Sequence, residues 1–522
     1  MALPVLAVFL VGLAHAVQGN IDLNLSDEGF LWNGTLRIGQ GKIPIRDYKS
    51  YDPGRHYWCF AWSKLFGQGI LGIRRAAAVF QALGLWAGLE VATRATENVW
   101  LLGLTGLILL WWMQPRHKLF EHTVSLITVY VAVLLIESPT LEMMVLAGAC
   151  VGFAGFMGRN LGAYTFCAFA CLILLITLKG GGPDLRWSYG AWALGILAGY
   201  APMLAMWALI PGLFRRYWTD KVMIFLRIGT LNRLPVPVPW PWRTRYGRPR
   251  LGDRLSAFFL GVHFLLLPLF YVTALVWIAL APSLGDRPLL TAGAFVGVFY
   301  MHHAFTRADL AHLCQVMQPF LLCVLSIAFA QENTIATAAL LGALMVAGFV
   351  TARPLVPLMN WWDNRKNFVT YDLNGEPLRI PQFRARFIDR VRVAVAQNLG
   401  PDEAIFIAPR SPTLYPILGK QTPVRSDYLL FPETEPVQGE IIADLERNHV
   451  DWALIADTMP DLRETLRFRN THPLVWDYLQ ANFEPVPAPG LGKAWQFLRR
   501  KDRLGTGANA HLVCDDVSGA AS

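Results

Sequence analysis

Residues 26–62 read SDEGFLWNGTLRIGQGKIPIRDYKSYDPGRHYWCFAW. They follow the first apolar run and form the first long polar stretch of the chain. Asp27 and Glu28 open the stretch a few residues past the expected membrane border. Asp47, Asp52, Arg55 and His56 follow, set among aromatics. Acids at such a border are more often functional than ornamental. The plain alternative is a solvated helix start with Ser26 as N-cap.

On the amino-terminal side, residues 2–19 are apolar and carry no Lys or Arg. Ala14-His15-Ala16 imitates a signal-peptidase site, but the missing basic head favours a retained helix. On the other side, apolar runs recur near 70–92, 99–113, 119–136, 141–157, 162–178, 190–210, 256–280, 289–304, 314–330 and 334–351. A span needs about 20 apolar residues, with about 17 tolerable, so the expected number of spans is about 11. The composition agrees. The 522 residues are 54% hydrophobic and 16% charged, with mean hydropathy +0.37. A water-soluble domain carries roughly 25% charged residues. Many of the 19 Trp stand at segment ends, as interfacial belts do. Gly148, Gly152, Gly155 and Gly158 are spaced for close helix packing.

After Arg353 the pattern changes. Residues 403–409, 451–457 and 494–500 read as strands, and 382–398 and 437–448 as helices. The expected fold class is a polytopic α-helical membrane protein with a C-terminal soluble α/β domain. The expected division is a membrane domain at 1–355 with a catalytic outer loop at 20–69. An extracytoplasmic α/β domain at 361–505 and a flexible tail at 506–522 complete it.

The net charge of +9 points to anionic headgroups or phosphates. No basic repeat with interleaved aromatics is present, which excludes a nucleic-acid module. The seven cysteines show neither zinc spacing nor a disulfide framework. Residues 214–254 hold ten Arg or Lys against Asp220 and Asp253. The charge rule places such a loop in the cytoplasm, whereas counting spans from an inside amino terminus places it outside. Binding phosphate is the reading that keeps it outside. Its LPVPVPWPW core cannot be a regular helix and reads as a stiff strap. Tyr217 to Ile228 reads as an amphipathic helix on the membrane.

A second constellation is Arg307-Ala308-Asp309-Leu310-Ala311-His312, after a span ending in His302-His303. His312 lies three residues past Asp309, on the same helical face. Arg offers a planar fork for phosphate oxygens, and the plain alternative is an internal Arg–Asp pair. Arg159-Asn160 interrupts apolar sequence and suits a headgroup or a helix contact.

These elements together resemble a known family. An apolar helix is followed by Asp27-Glu28-Gly29, then Gly41-Lys42-Ile43-Pro44, then Arg46-Asp47. Asp52-Pro53-Gly54-Arg55-His56-Tyr57 and a later Arg-x-Asp-x-x-His complete the set. The pattern is similar to the GT-C superfamily of lipid-phosphate-sugar-dependent glycosyltransferases. The nearer likeness is to protein O-mannosyltransferases, aminoarabinose transferases and rhizobial lipopolysaccharide-core transferases. The resemblance implies inverting transfer of a sugar from a polyprenyl phosphate to a lipid, glycan or protein acceptor. It implies a multi-pass inner-membrane enzyme whose site and C-terminal domain face the periplasm or exterior. Asp27 would be the base, with Glu28 assisting it or holding the acceptor. Asp47, Asp52, Arg55, Arg307, Asp309 and His312 are the candidate substrate-binding residues. No cofactor is expected; the first loop lacks the Asp-x-Asp of the metal-dependent oligosaccharyltransferases, which argues against a divalent metal and leaves it as the alternative. The competing class is a transporter or flippase for a lipid-linked anion. It would use the same cations without needing an outer acid pair, and the paired repeats typical of transporters are not seen.

Overall fold

The computed structural model describes residues 3–228, 234–243, 251–281, 283–331, 333–492 and 494–501. Seven described helices are long and apolar enough to cross a membrane. They are Ile70–Ala92, Arg116–Glu137, Arg159–Leu178, Leu185–Leu209, Leu251–Leu280, Pro288–Thr306 and Thr334–Leu355. Four shorter apolar helices are Leu3–Gln18, Val99–Trp112, Leu141–Met157 and Met317–Phe329. Each expected apolar run therefore falls on a helix, and the chain is a polytopic helical membrane protein.

The chain divides into two compact units. The first comprises Met1–Asp22, Gly34–Arg46 and Ser50–Arg379. The second comprises Leu23–Asn33, Asp47–Lys49 and Ile380–Ser522. The first polar stretch is thus shared: the Asp27–Gly39 helix starts in the second unit and ends in the first.

In the first unit, Arg116–Glu137 is the most enclosed of the long helices. Its buried face carries Glu121, His122, Thr123, Ser125 and Thr128. The helices Leu141–Met157 and Leu185–Leu209 touch backbone to backbone. A Cβ on Gly148 would stand 2.0 Å from Trp192 O, and one on Gly199 would stand 2.1 Å from Ala149 O. Gly148 with Gly152 and Gly195 with Gly199 form facing pairs at helical spacing, so only glycine permits this approach.

The residues after the first helix are tied down by two arginines. Arg74 donates to Gly19 O at 2.8 Å and Asp22 O at 2.7 Å. Arg116 donates to Gln18 O at 3.0 Å and Ile21 O at 2.7 Å. They bind carbonyls at and just past the helix end, where their charge suits the negative end of its dipole.

The segment expected as one surface helix is helical from Leu213 to Ile228, with a π-helical turn at Trp218–Met223. Residues 235–240 form neither helix nor strand, as their prolines require. Within the basic loop, Arg233, Arg245, Arg248, Arg250 and the Arg227 side chain lie outside the described residues. So does the expected flexible tail at 506–522.

Six strands are described: β1 (Phe368–Leu373), β2 (Glu376–Pro381), β3 (Ile405–Ala408), β4 (Trp452–Ala456), β5 (Phe483–Pro485) and β6 (Trp495–Arg500). β1 and β2 form a hairpin at Asn374-Gly375, both at positive φ (56° and 87°). That is the geometry Asn-Gly favours. The other four form a sheet in the order β3-β4-β6-β5. β3 and β4 are parallel, and the remaining pairs are antiparallel. All residues of β3 and β4 are buried, which accounts for their unbroken apolar sequence. The helices Gln382–Asn398, Glu435–Arg447 and Pro473–Asn482 complete this α/β unit. Ile441, Leu445, Val475 and Leu479 pack in its core with Phe406 and Ile455.

Candidate functional site

In the second unit, the turn bearing Asp27 is built by Asn24. Its Oδ1 accepts from Ser26 N at 2.8 Å and Asp27 N at 3.0 Å. Ser26 gives its carbonyl to the first helical bond, from Phe30 N at 2.9 Å. Its hydroxyl donates to Arg410 O at 2.7 Å, so the cap expected of its side chain comes from Asn24 instead. Glu28 is buried and accepts from Asn24 N at 3.2 Å. Asp27 is half-buried, and its Oδ1 accepts from Tyr428 Oη at 2.7 Å. The phenol ring lies 5.2 Å from that of Phe30. A carboxylate in the first turn of a helix is favoured by the helix dipole.

Gly29 of the Asp-Glu-Gly element has a steric reason. A Cβ there would stand 1.8 Å from Thr413 Oγ1 and 2.4 Å from Thr413 N. Asn33 Nδ2 donates to Asp427 Oδ2 at 2.5 Å and to Thr422 Oγ1 at 2.9 Å. Asp47 is half-buried in a turn and counts with the same unit. Its neighbour Lys49 pairs with Glu433 at 2.6 Å.

In the first unit, charge gathers at the ends of apolar helices. Asp52 precedes the Pro53–Phe66 helix and is 6% exposed. Its Oδ2 accepts from the backbone N of Arg159 at 3.0 Å, and the Arg159 side chain pairs with it at 3.3 Å. Burial pushes Asp52 up. Arg159, Lys221, the Arg159 N–H and Arg55 outweigh burial and hold the carboxyl below its usual range. Arg55 is equally enclosed. It binds Glu121 at 2.6 Å and donates to Met157 O at 2.7 Å. Lys118 Nζ reaches Tyr51 Oη at 3.1 Å, and Lys221 Nζ reaches Ser50 O at 2.7 Å. Arg159 Nε is buried without a hydrogen-bond partner among the described residues. An unmet buried donor of this kind is uncommon in a finished core.

The second constellation also belongs to the first unit. Arg307 is extended rather than helical, and its Nε donates to Asp309 Oδ2 at 2.7 Å. Asp309 caps the short Leu310–Cys314 turn, accepting from His312 N at 2.9 Å and pairing with His312 Nδ1 at 2.7 Å. The His303 and His312 rings lie 5.2 Å apart. The internal Arg–Asp pair is therefore present, with His312 joined to it.

Burial raises Asp309, but the His312 bonds and Arg307 bring it down to about 2. A depressed carboxyl contributes stability above its unfolded value of 3.8, and that contribution is lost as pH falls toward about 2. Asp309→Asn should therefore lower the melting temperature at pH 6. The gap to the unmodified protein should close between pH 4 and 2, as read by thermal unfolding in detergent.

Asp27, Glu28 and Asp47 are thus held in one unit, and Asp52, Arg55, Arg307, Asp309 and His312 in the other. Glu121, Lys118 and Tyr428 were not among the sequence candidates. Glu121 had a signal: a carboxylate next to an apolar run. Tyr428 had none.

No model of a known protein family matches the chain, and neither does any curated protein. Among solved structures it is similar to ArnT from Cupriavidus metallidurans in the apo state, at TM-score 0.47 and 13% identity. That match covers 95% of this chain and 97% of the other. The same protein bound to undecaprenyl phosphate gives TM-score 0.45, 14% identity and the same coverage. The Archaeoglobus fulgidus oligosaccharyltransferase tethered with an acceptor peptide gives TM-score 0.43 and 10% identity. There 92% of this chain and 72% of the other are covered. Likeness at these values assigns no residue a role.

Proposed function

We propose that the chain is a glycosyltransferase that moves a sugar from a polyprenyl-phosphate donor to an extracytoplasmic acceptor by single displacement. The observation that carries this reading is the array of cations in the apolar first unit. Arg55, Lys118, Arg159 and Lys221 stand there; Glu121 pairs with Arg55 and Lys118, and Asp52 pairs with Arg159 and feels the charge of Lys221. Charge in such a body is costly and marks a site by default. An anion at headgroup level, carried by a lipid, matches both its sign and its setting.

The chemistry we assign follows from charge. The acceptor heteroatom attacks the anomeric carbon. The bond from that carbon to the phosphate oxygen breaks, and its electron pair leaves with the phosphate. The acceptor proton passes to Asp27. Charge on the phosphate grows along this path, so fixed cations lower the barrier more than they tighten ground-state binding. A carboxylate can serve as general base for a hydroxyl or amine acceptor that comes within hydrogen-bond reach of it.

The test uses the full chain in liposomes with undecaprenyl phosphate carrying a labelled monosaccharide, and an envelope extract as acceptor. Transfer of label off the polyprenyl phosphate is the expected result. Label that crosses the bilayer still attached to its lipid would make the protein a transporter instead. Arg159→Gln should raise the donor KM about tenfold, the size of one lost charge-assisted hydrogen bond.

A further inference from the structure

The acid assigned as base is held from far away in the chain. Tyr428 lies 401 residues beyond Asp27 and donates to it at 2.7 Å. The segment that carries Tyr428 leaves the C-terminal edge of β3 and is pinned along its length. Tyr415 Oη accepts from Ile407 N of β3 at 2.9 Å. Arg425 N donates to Asp444 Oδ2 at 2.9 Å. Leu429 N, next to Tyr428, donates to Pro409 O at 2.7 Å.

The same segment grips the backbone of the Asp27 turn. Thr413 Oγ1 donates to Leu25 O at 2.7 Å, and Arg410 O receives the Ser26 hydroxyl. Gly29 lets the turn seat against Thr413, and Asn33 is fastened to Asp427 one turn further on. Residues 409–428 therefore form a saddle for the first helical turn. The Tyr428 hydroxyl reaches the carboxylate itself.

We propose that Tyr428 is a positioning residue for Asp27: its phenol, fixed by the saddle, sets the direction in which the carboxylate meets the acceptor. This rests on Asp27 being the base. A carboxylate on a helix turn has two torsions of its own. A hydrogen bond from an anchored ring removes that freedom before substrate arrives, which is where positioning acts on rate. A phenol donating to a carboxylate also favours its ionised form.

The test compares Tyr428→Phe, Asp27→Asn, their double variant and Thr413→Val as full chains in liposomes. The probe is labelled undecaprenyl-phosphate monosaccharide with envelope extract. Tyr428→Phe should lower kcat about tenfold with the donor KM unchanged. The acid limb of its pH–rate profile should move to higher pH by up to about one unit. The double variant should be no slower than Asp27→Asn alone. Thr413→Val removes one saddle contact to the backbone of the turn and leaves the anchors at Arg425 and Leu429 that hold Tyr428, so it should lower melting and leave the profile in place. If Tyr428→Phe keeps the original rate and profile while Asp27→Asn is inactive, the positioning role is overturned and the base survives. If Tyr428→Phe and Thr413→Val lose rate alike with no movement of the limb, Tyr428 is only a structural tether and the proposal fails. Full activity in Asp27→Asn overturns both assignments.

Discussion

Asp27→Asn should leave the fold and donor affinity in place and remove transfer, by about 10²–10⁴ in kcat. The size is that of a general base taken out of a reaction whose other parts remain. Asn keeps the shape of the side chain, and its amide oxygen still accepts from Tyr428. Asn24 continues to hold the turn through the backbone N–H groups of residues 26 and 27. The helix start gives up its dipole interaction with the charge, about 0.3–1 kcal/mol, too little to unfold the unit. The measurement is initial rate against donor concentration, with melting temperature as the control. A variant that melts normally and still transfers at the original rate removes Asp27 from the chemistry. Glu28→Gln makes a useful contrast. Glu28 is buried and serves Asn24 N, so its loss should fall on stability more than on the slope of the pH profile.

Breaking the Arg55–Glu121 pair has the largest expected effect on stability. Each side chain is 6% exposed, and their charged atoms are 2.6 Å apart. Arg55→Leu leaves Glu121 enclosed with Lys118 Nζ at 4.0 Å as its remaining cation. Glu121→Leu leaves an enclosed guanidinium with Met157 O, the faces of Tyr51 and Phe120, and the more distant charge of Asp52. Either single change should cost about 3–5 kcal/mol, because it strands a charge out of water. The double Leu variant should be more stable than the sum of the two, since two apolar groups strand nothing. Thermal unfolding of the four proteins in one detergent checks this. A double variant that loses as much as both singles together would show that the two side chains do not act as a pair.

The helical body was legible because span length and apolarity are local properties, and each expected run met a helix. The buried strands at 405–408 and 452–456 were legible for the same reason. The β1–β2 hairpin was missed although Asn374-Gly375 announces it, because its strands carry charged residues on an open face and show no apolar run. Within the candidate site, Asp309 and His312 were readable as partners since three residues on a turn bring side chains together. Arg307 joined them through an extended backbone that spacing alone does not reveal. The Asp27–Tyr428 and Asp52–Arg159 contacts depend on tertiary packing, and no periodicity encodes that. Arg159 and Asp52 had each stood out in the sequence, but nothing in the sequence paired them.

Residues 23–33 belong with the carboxy-terminal unit although they precede almost all of the membrane helices. Exchanging that unit between related proteins, cut after residue 379, would therefore leave the Asp27 turn on a foreign seat. A working hybrid has to bring its own short amino-terminal segment along. Drift in the 409–428 region would likewise be felt at the opposite end of the gene, so the two segments should change together as lineages diverge.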